Sequence, residues 1–591
     1  FCWYSSFRDL PAGLPDGLPR PDSAEWGSLP VPSVWQNHGY DRHQYTNIRY
    51  PFPYDPPYVP WDTPCGVYAL SFTEGPAGGM RRYLNFEGVD PCLYLWLNGR
   101  FVGYSQVSHS TSEFDVTSFL KEGENELLAV VPKWCDGSYL EDQDKLRMSG
   151  IFRDVALLSR PEAHIRDYFV HTDLAADNAS AVVRVELEKT VPSLPVTLTL
   201  LSPVGTPAGT AETTGSEAVF SIEQPVLWNA EAPRQYTLLL ETPDEAIAQK
   251  VGVRRVEVRD GVLLLNGTPI KFRGVNRHDS DPVTGYVISR EQALRDLTLM
   301  KAHNINAIRT SHYPNAPWFV PLCAECGFYV IAEADLEAHG VVQLYGKAGH
   351  EEKYNRIAND PRFAQAILDR VQRSVTRDKN CAAVLLWSLG NESGYGENLE
   401  KAARWVKGYD PSRLVHYEGG SHPDAGRKND RSCLDVFSQM YASLPEIRQY
   451  FEEKPAVPYL LCEYIHAMGN STGDAEDYQE LIQRYPGFCG GFVWEWCDHA
   501  VELRRDENGR PCYGYGGDFG EFPHDGNFCV DGLVSPDRIP HTSLLEYKNV
   551  IRPARAVWAD EAHTAVRVHN YLDFLSLDEV LAGEYEWSHN G

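Results

Sequence analysis

The chain is predicted to be multidomain. It reads as an N-terminal β jelly-roll sandwich, an immunoglobulin-like β-sandwich, a (β/α)8 barrel and the beginning of a further β-sandwich. Three observations predict this. A length of 591 residues is too great for one hydrophobic core and fits about three to four domains. Up to about residue 257, runs of alternating apolar and polar residues are broken by turn signals. From about 258 the pattern becomes strand, helix, strand, helix, with eight strands in about 295 residues.

Residues 1–157 are expected to form the jelly roll. Gly66-Val67-Tyr68-Ala69-Leu70-Ser71-Phe72 and Cys92-Leu93-Tyr94-Leu95-Trp96-Leu97 read as strands, and Asn98-Gly99 marks a hairpin turn. Residues 158–257 continue as short strands, such as Ala181 to Leu187 and Val196 to Leu200, and suit an immunoglobulin-like sandwich. Residues 258–554 carry the TIM-barrel pattern. Its strands are expected at 271–275, 307–309, 328–333, 383–389, 414–417, 435–440, 459–463 and 488–494. Helices are expected after Ser289, where Ser289 and Gln292 make a capping box, and at 316–326 and 360–378. Residues 555–591 return to β character at Ala565-Val566-Arg567-Val568. The opening at Phe1 and the stop at Asn590-Gly591, which reads as a hairpin turn, predict a piece of a longer chain.

Composition excludes some functions. A net charge of −28 argues against nucleic-acid or anionic-membrane partners and suits a neutral substrate. No stretch approaches the roughly 18 apolar residues of a membrane span, and no signal-peptide pattern is present. Thirteen cysteines, mostly inside apolar runs, read as small buried hydrophobes in a cytoplasmic protein. Cys323-Ala-Glu-Cys326 has no second pair at zinc-site spacing, so packing within a helix is the expected role.

The chemistry is concentrated at the C-terminal ends of the barrel strands. Leu385-Leu386-Trp387-Ser388-Leu389 runs into Gly390-Asn391-Glu392, and Tyr459-Leu460-Leu461-Cys462 runs into Glu463. A buried parallel strand that delivers a carboxylate to the barrel rim reads this way. Two such carboxylates are what glycoside hydrolysis needs: one protonates the leaving oxygen, the other attacks the sugar carbon or activates water. Around the same rim stand His278, His312, Glu337, His339, Met440, Tyr441, His466 and Trp494. Asn391 is placed to bond the hydroxyl beside the reacting carbon, Tyr441 to orient Glu463, and Trp494 to stack on a sugar face. Glu337, His339 and Glu392 form a mixed oxygen and nitrogen set that favours Mg2+ over zinc.

At these residues the chain resembles the large β-galactosidases of glycoside hydrolase family two. The resemblance covers nearly the whole chain. It is carried by Tyr45-Thr46-Asn47, by the run Asp136 to Asp144, by Arg147 to Asp154 and by Arg273 to His278. Trp387 to Gly394, Cys462 to Asn470 and Tyr515 to Gly520 carry it further. It implies a retaining mechanism with Glu463 as nucleophile and Glu392 as acid and base. It implies magnesium on Glu337, His339 and Glu392. Sodium, or another monovalent cation, is implied on Asp136, the Phe528 carbonyl and position 531. Asn47, Asp136, His278, His312 and His466 are implied as sugar contacts, and Trp494–Glu495 as a non-proline cis bond. The expected substrate is a terminal β-galactoside such as lactose, and the full-length protein is expected to be a homo-oligomer. Three departures stand out: Asp531 where the family usually has Asn, Cys381-Ala382-Ala383 in place of His-Pro-Ser, and the absence of the family's long C-terminal region and N-terminal tail.

Other readings are a β-mannosidase or β-glucuronidase of the same family, and a galactoside-binding fragment without turnover. A glucuronidase would want a cation facing the sugar carboxylate, and Asp136 with Asp531 has the wrong sign. A metal-dependent amidase built on Glu337, His339 and His312 lacks H-E-x-x-H spacing.

Overall fold

The computed structural model describes residues 1–11, 13–15, 17, 26–76, 78–582 and 584. The turn expected at Asn590-Gly591 lies outside these residues. In the first domain, strands Cys2–Tyr4, Cys65–Glu74, Gly123–Pro132, Cys92–Leu97 and Arg100–Gln106 form one antiparallel sheet. A second sheet of Val155–Pro161, Met80–Phe86 and Ser112–Asp115 faces it. Leu84, Phe86, Leu93, Leu95, Leu97, Ala129 and Val131 fill the space between. Asn98 and Gly99 turn the 92–106 hairpin with φ of 53° and 77°, the sign that a tight hairpin turn demands. Because Val155–Pro161 pairs along its whole length with Met80–Phe86, this sandwich runs to Pro161, past the expected boundary at 157.

The second domain packs a three-stranded sheet (165–174, 180–189, 217–223) on a four-stranded one (207–213, 196–201, 236–241, 246–251). Along Ser180–Lys189 burial alternates residue by residue, as the pleat of a half-buried strand requires.

The barrel is one eight-stranded parallel sheet. Its strands, in order, are Phe272–Asn276, Ala307–Arg309, Tyr329–Glu333, Val384–Ser388, Leu414–His416, Phe437–Met440, Tyr459–Tyr464 and Phe488–Val493. The first strand pairs with the eighth, which closes the ring on that side. The fifth and sixth strands are joined by one backbone bond, from the Asp435 N–H to the Val415 carbonyl, and by side chains: Val415 donates its N–H to the Asp435 carboxylate, and His416 Nε2 lies 2.8 Å from Ser438 Oγ. The expected capping box forms at Ser289 and opens the helix Arg290–Ala302. Cys323 and Cys326 lie in the helix Phe319–Cys326, and all thirteen cysteines are free. After the barrel, Ala554–Trp558 pairs with Val566–Asn570 in a hairpin.

A backbone seam fixes the first domain to the barrel rim. The Leu140 carbonyl accepts the Glu337 N–H, and the Asp142 N–H donates to the Glu337 carbonyl, so the sandwich adds a short bridge beside a rim residue. Lys145–Arg147 pairs with Gln44–Thr46, which carries Asp144 and Asn47 to the mouth of the barrel.

Candidate active site

Glu463 and Glu392 both stand at the C-terminal rim. The seventh strand is buried along its length and presents Glu463 at 5% exposure. The fourth strand ends at Ser388, and the chain then bends through Gly390 at φ +139°. A Cβ on Gly390 would sit 2.7 Å from the Leu336 carbonyl, so the bend requires glycine. Glu392 itself adopts φ +33°, an unfavourable conformation held by its surroundings. Its N–H donates to Glu418 at 3.0 Å, and the next amide, of Ser393, donates to the Tyr417 hydroxyl at 3.0 Å.

One buried arginine organises the pocket floor. Arg309, at the end of the second strand, is wholly buried. Its Nη1 donates to Glu463 at 2.8 Å and to Asn276 at 3.0 Å, and its Nη2 to Asn391 at 2.8 Å. Nε and Nη2 also grip Glu333 at 2.7 and 3.1 Å. Burial works against the Glu333 anion, but Arg309 and His312 hold its carboxyl down at about 2. The sequence reading missed Arg309 and Glu333; a charged residue ending each of two short apolar barrel strands is the signal that marks them.

The second oxygen of Glu463 accepts from the Tyr441 hydroxyl at 2.9 Å. Burial pushes the Glu463 carboxyl up to about 8 against the pull of Arg309, with Glu392 adding to the rise. Burial also pushes Glu392 up, but His339, 2.8 Å away, outweighs it and leaves Glu392 below the usual carboxylate range. Burial lowers His339 in turn, and Glu392 overrides it and holds the imidazole at about 9. Asn391 links the two glutamates, since its amide lies 3.4 Å from Glu392 Oε2 and its carbonyl oxygen is held by Arg309.

Ligand atoms of Glu337, His339 and Glu392 lie within 4.8 Å of one another. Glu337 Oε1 is buried without a hydrogen-bond partner among the described residues. Burial, then the Glu392 charge, drives the Glu337 carboxyl well above its ordinary value. A buried anion pair with a free oxygen suits a hard divalent cation. Glu418, His422, Tyr354, Met440 and Tyr441 extend this side of the pocket into a cavity of about 380 Å³.

The opposite wall is aromatic. Trp494 stacks on His312 with ring centroids 5.0 Å apart, and its Nε1 donates to Asp531 at 2.9 Å. His278 stands edge-on to both rings. His466 Nε2 lies 3.5 Å from Asp531. The Trp494–Glu495 and Ser311–His312 peptides are both cis. Phe528 is half exposed, and the carbonyl of the adjacent Cys529 accepts from the His499 N–H. Asn47 lies one residue beyond the pairing of Thr46 with Lys145, and its N–H donates to Asp525 at 2.8 Å.

Asp136 is not part of this site. It opens the 3-10 helix Asp136–Leu140 on the outer side, is exposed, and lines a groove with Pro57, Gln106 and Arg362. Gly137, Ser138, Tyr139 and Leu140 of that helix are buried, and Asp136 at its start is left outward. Asp144 is the aspartate of this run that interacts with site residues. It accepts from the Tyr45 hydroxyl at 2.5 Å and acts electrostatically on Asp531 and Glu495, while the Glu392 charge acts on it. Burial pushes Asp144 up to about 6. Burial and Glu495 raise Asp531 well above the ordinary value, and Asp531 Oδ1 has no partner among the described residues. Asp136 and Asp144 open and close one short run of the chain, and spacing alone does not say which faces inward.

Comparison with known proteins accords with this architecture. Residues 2–161 match the sugar binding domain of glycosyl hydrolases family 2, residues 163–254 a further domain of that family, and residues 256–556 its TIM barrel domain. The chain is 52% identical to a β-galactosidase of Actinobacillus pleuropneumoniae over all of its own length and 59% of that protein's. It is 45% identical to a β-galactosidase of Staphylococcus xylosus over 98% of its own length and 58% of that protein's. The chain thus spans somewhat over half the length of these curated relatives. Among solved structures, a β-glucuronidase of Ruminococcus gnavus superposes with a TM-score of 0.68 at 19% identity, covering 89% of this chain and 92% of that one. A β-glucuronidase of Bifidobacterium dentium gives 0.64 at 22% identity over 82% and 88%. At such identities these structures speak for the fold alone. With one family matched from residue 2 to residue 556, in the domain order that the structure shows, the chain belongs to glycosyl hydrolases family 2.

Proposed function

We propose that the chain carries the active site of a retaining, exo-acting β-D-galactosidase that hydrolyses terminal β-D-galactose from lactose-type substrates. The observation that carries this reading is the Glu463 carboxylate, gripped by Arg309 and Tyr441 and linked through Asn391 to Glu392. Glu463 attacks C1 of the sugar while the bond to the leaving oxygen breaks. Glu392 gives its proton to that oxygen. Water then attacks C1 of the galactosyl-enzyme, passes a proton to Glu392 and releases Glu463. Arg309 and Tyr441 donate to Glu463 and stabilise its anion, working against the burial and the Glu392 charge that hold its carboxyl at about 8. The proton that the acid delivers is one this pair of glutamates must exchange, from Glu463 to Glu392, before attack.

Mg2+ is the cation that Glu337, His339 and Glu392 would hold; bound there, it supplies fixed positive charge beside the acid. A Na+ or similar ion would sit with Asp144, Asp531 and the Phe528 carbonyl rather than with Asp136. The buried carboxylates Asp144, Asp531 and Glu495 disfavour an anionic sugar, which weighs against the β-glucuronidase reading. No helix among the described residues is long and apolar enough to cross a membrane. Free cysteines support a cytoplasmic location and the acidic surface the absence of nucleic-acid partners; a homo-oligomer is proposed for the whole protein.

The test is trapping. A 2-deoxy-2-fluoro-β-galactoside with a good leaving group should inactivate the chain and add one fluorogalactosyl unit to the peptide containing Glu463. Label on another residue, or faster turnover of a 4-nitrophenyl glucuronide than of the galactoside, would overturn the proposal. Binding of galactosides without turnover would favour a non-hydrolytic fragment.

A further inference from the structure

We infer that Tyr313 is a positioning residue that locks His278 as a hydrogen-bond donor toward the sugar, while Glu333 locks the neighbouring His312 in the opposite tautomer. The inference rests on the reading of this pocket as the sugar site.

The available donors and acceptors fix where each proton sits. His278 is wholly buried, and its Nδ1 lies 3.0 Å from the Tyr313 hydroxyl. The backbone N–H of Asp279 donates to the same hydroxyl oxygen at 3.1 Å. An amide N–H can only donate, so the oxygen is already an acceptor. Tyr313 is also buried, and a buried hydroxyl proton requires a partner. Of the two groups bonded to this hydroxyl, only His278 Nδ1 can accept. Tyr313 therefore donates to Nδ1, and the ring proton of His278 resides on Nε2. Nε2 is buried and has no hydrogen-bond partner among the described residues. Around its ring stand His312, Trp494 and His499 at 5.3, 5.6 and 5.0 Å between centroids. Burial keeps the imidazole neutral. His278 thus holds one N–H that no protein group accepts among the described residues, suited to a sugar oxygen and not to another donor.

His312 is fixed the other way. Its Nδ1 lies 2.7 Å from Glu333 Oε1, and Glu333, already gripped by Arg309 and Ser388, is an anion that can only accept. Nδ1 holds the proton, and the Nε2 lone pair accepts from the Asn391 amide at 3.3 Å. Two histidines on one wall thereby hold opposite tautomers, and of the two only His278 keeps a ring N–H that no protein group accepts among the described residues.

The first domain clamps this device. His109 stacks on the Tyr313 ring at 3.8 Å and 11°. The Lys145 ammonium lies 4.6 Å from the same ring and donates to His109 Nε2 at 3.2 Å, and His109 Nδ1 donates to Asp335 at 3.0 Å. The sandwich residues His109 and Lys145 hold the ring, and the barrel residue Tyr313 transmits the position to His278.

The experiment uses the full chain labelled with ring-15N histidine. His278→Gln assigns the His278 signals. The expected spectrum shows a pyridine-type Nδ1 and a pyrrole-type Nε2, and Tyr313→Phe should raise the population of the other tautomer. A pyrrole-type Nδ1 in the unaltered chain would overturn the inference. In kinetics with 4-nitrophenyl β-galactoside, Tyr313→Phe should lower kcat/KM about 10–100-fold, the usual effect of removing an orienting partner. His278→Gln, whose amide reaches the Nε2 position, should retain more activity than His278→Asn. Tyr313→Phe added to His278→Gln should cause no further loss, because Tyr313 acts through His278; additive losses would refute it. Failure of the unaltered chain to turn over any galactoside would sink the galactosidase reading, whereas the 15N spectrum would still decide the tautomer.

Discussion

Arg309 and Glu463 meet at 2.8 Å beneath the pocket, the arginine wholly buried and the glutamate all but buried. The guanidinium directs its donors to four acceptors at once: Glu463, Glu333, Asn276 and Asn391. A lysine ammonium cannot reproduce that planar fork. Arg309→Lys should therefore reduce kcat by about 100-fold or more, with Glu463 misplaced by a fraction of an ångström. Arg309→Ala should also destabilise the fold by about 3–5 kcal/mol, because it leaves buried carboxylates unpaired. Turnover and denaturant unfolding measured on the same preparations check both. An Arg309→Lys enzyme with nearly full activity would contradict the central role.

Tyr441→Phe isolates the other donor to Glu463. Tyr441 is 44% exposed, so its loss should leave the unfolding midpoint almost unchanged. Its hydroxyl is a positioned donor to the reacting carboxylate, and such donors are worth about 100-fold in kcat. Steady-state kinetics beside a thermal melt decides between this and a merely structural tyrosine.

Glu333 makes the fold depend on pH. Its carboxyl falls from an ordinary 4.5 to about 2 in the folded chain. A depressed folded value means that its contribution is fully present above 4.5 and is lost as pH falls toward 2. The contribution is about 3 kcal/mol at neutral pH. Glu333→Gln should lower stability at pH 7 and flatten its acid dependence between about pH 4.5 and 2. Urea unfolding at a series of pH values would show parallel curves for the two proteins if Glu333 were not responsible.

Chelation addresses the set of Glu337, His339 and Glu392. Exhaustive dialysis against EDTA should reduce kcat, and added Mg2+ should restore it. Calorimetric titration should show Mg2+ binding that Glu337→Gln removes, since that change deletes one of three ligands. Unchanged Mg2+ affinity in Glu337→Gln would place the cation elsewhere.

The two aspartates of the Asp136 to Asp144 run should separate cleanly. Asp136 is exposed on the outer groove, so Asp136→Asn should leave KM within about twofold of the parent. Asp144 lies within range of the Glu392 and Asp531 charges, so Asp144→Asn should raise KM for galactosides about tenfold or more and weaken any dependence on Na+. Equal effects from the two substitutions would reverse the placement.

Most of the architecture is legible in the sequence because hydrophobic period is a local property. Alternation along Ala181 to Leu187, continuous apolar runs at Leu385 and Leu460, and the capping box at Ser289 each follow from neighbours within a few residues. Strand ends in a barrel of known order must share one rim, so Glu392, Glu463, Glu337 and His339 could be named together. Tertiary structure alone decided which way each polar side chain turns. Asp136 and Asp144 differ because the 3-10 helix buries Tyr139 and the following ladder with Gln44–Thr46 carries the chain inward. Arg309 and Tyr313 acquire their roles from partners far away in the chain: Glu463 for one, His109 and Lys145 for the other. Hydrogen bonds and charge interactions act over a few ångströms in space, so residues distant in sequence determine the site, and only packing brings them within reach.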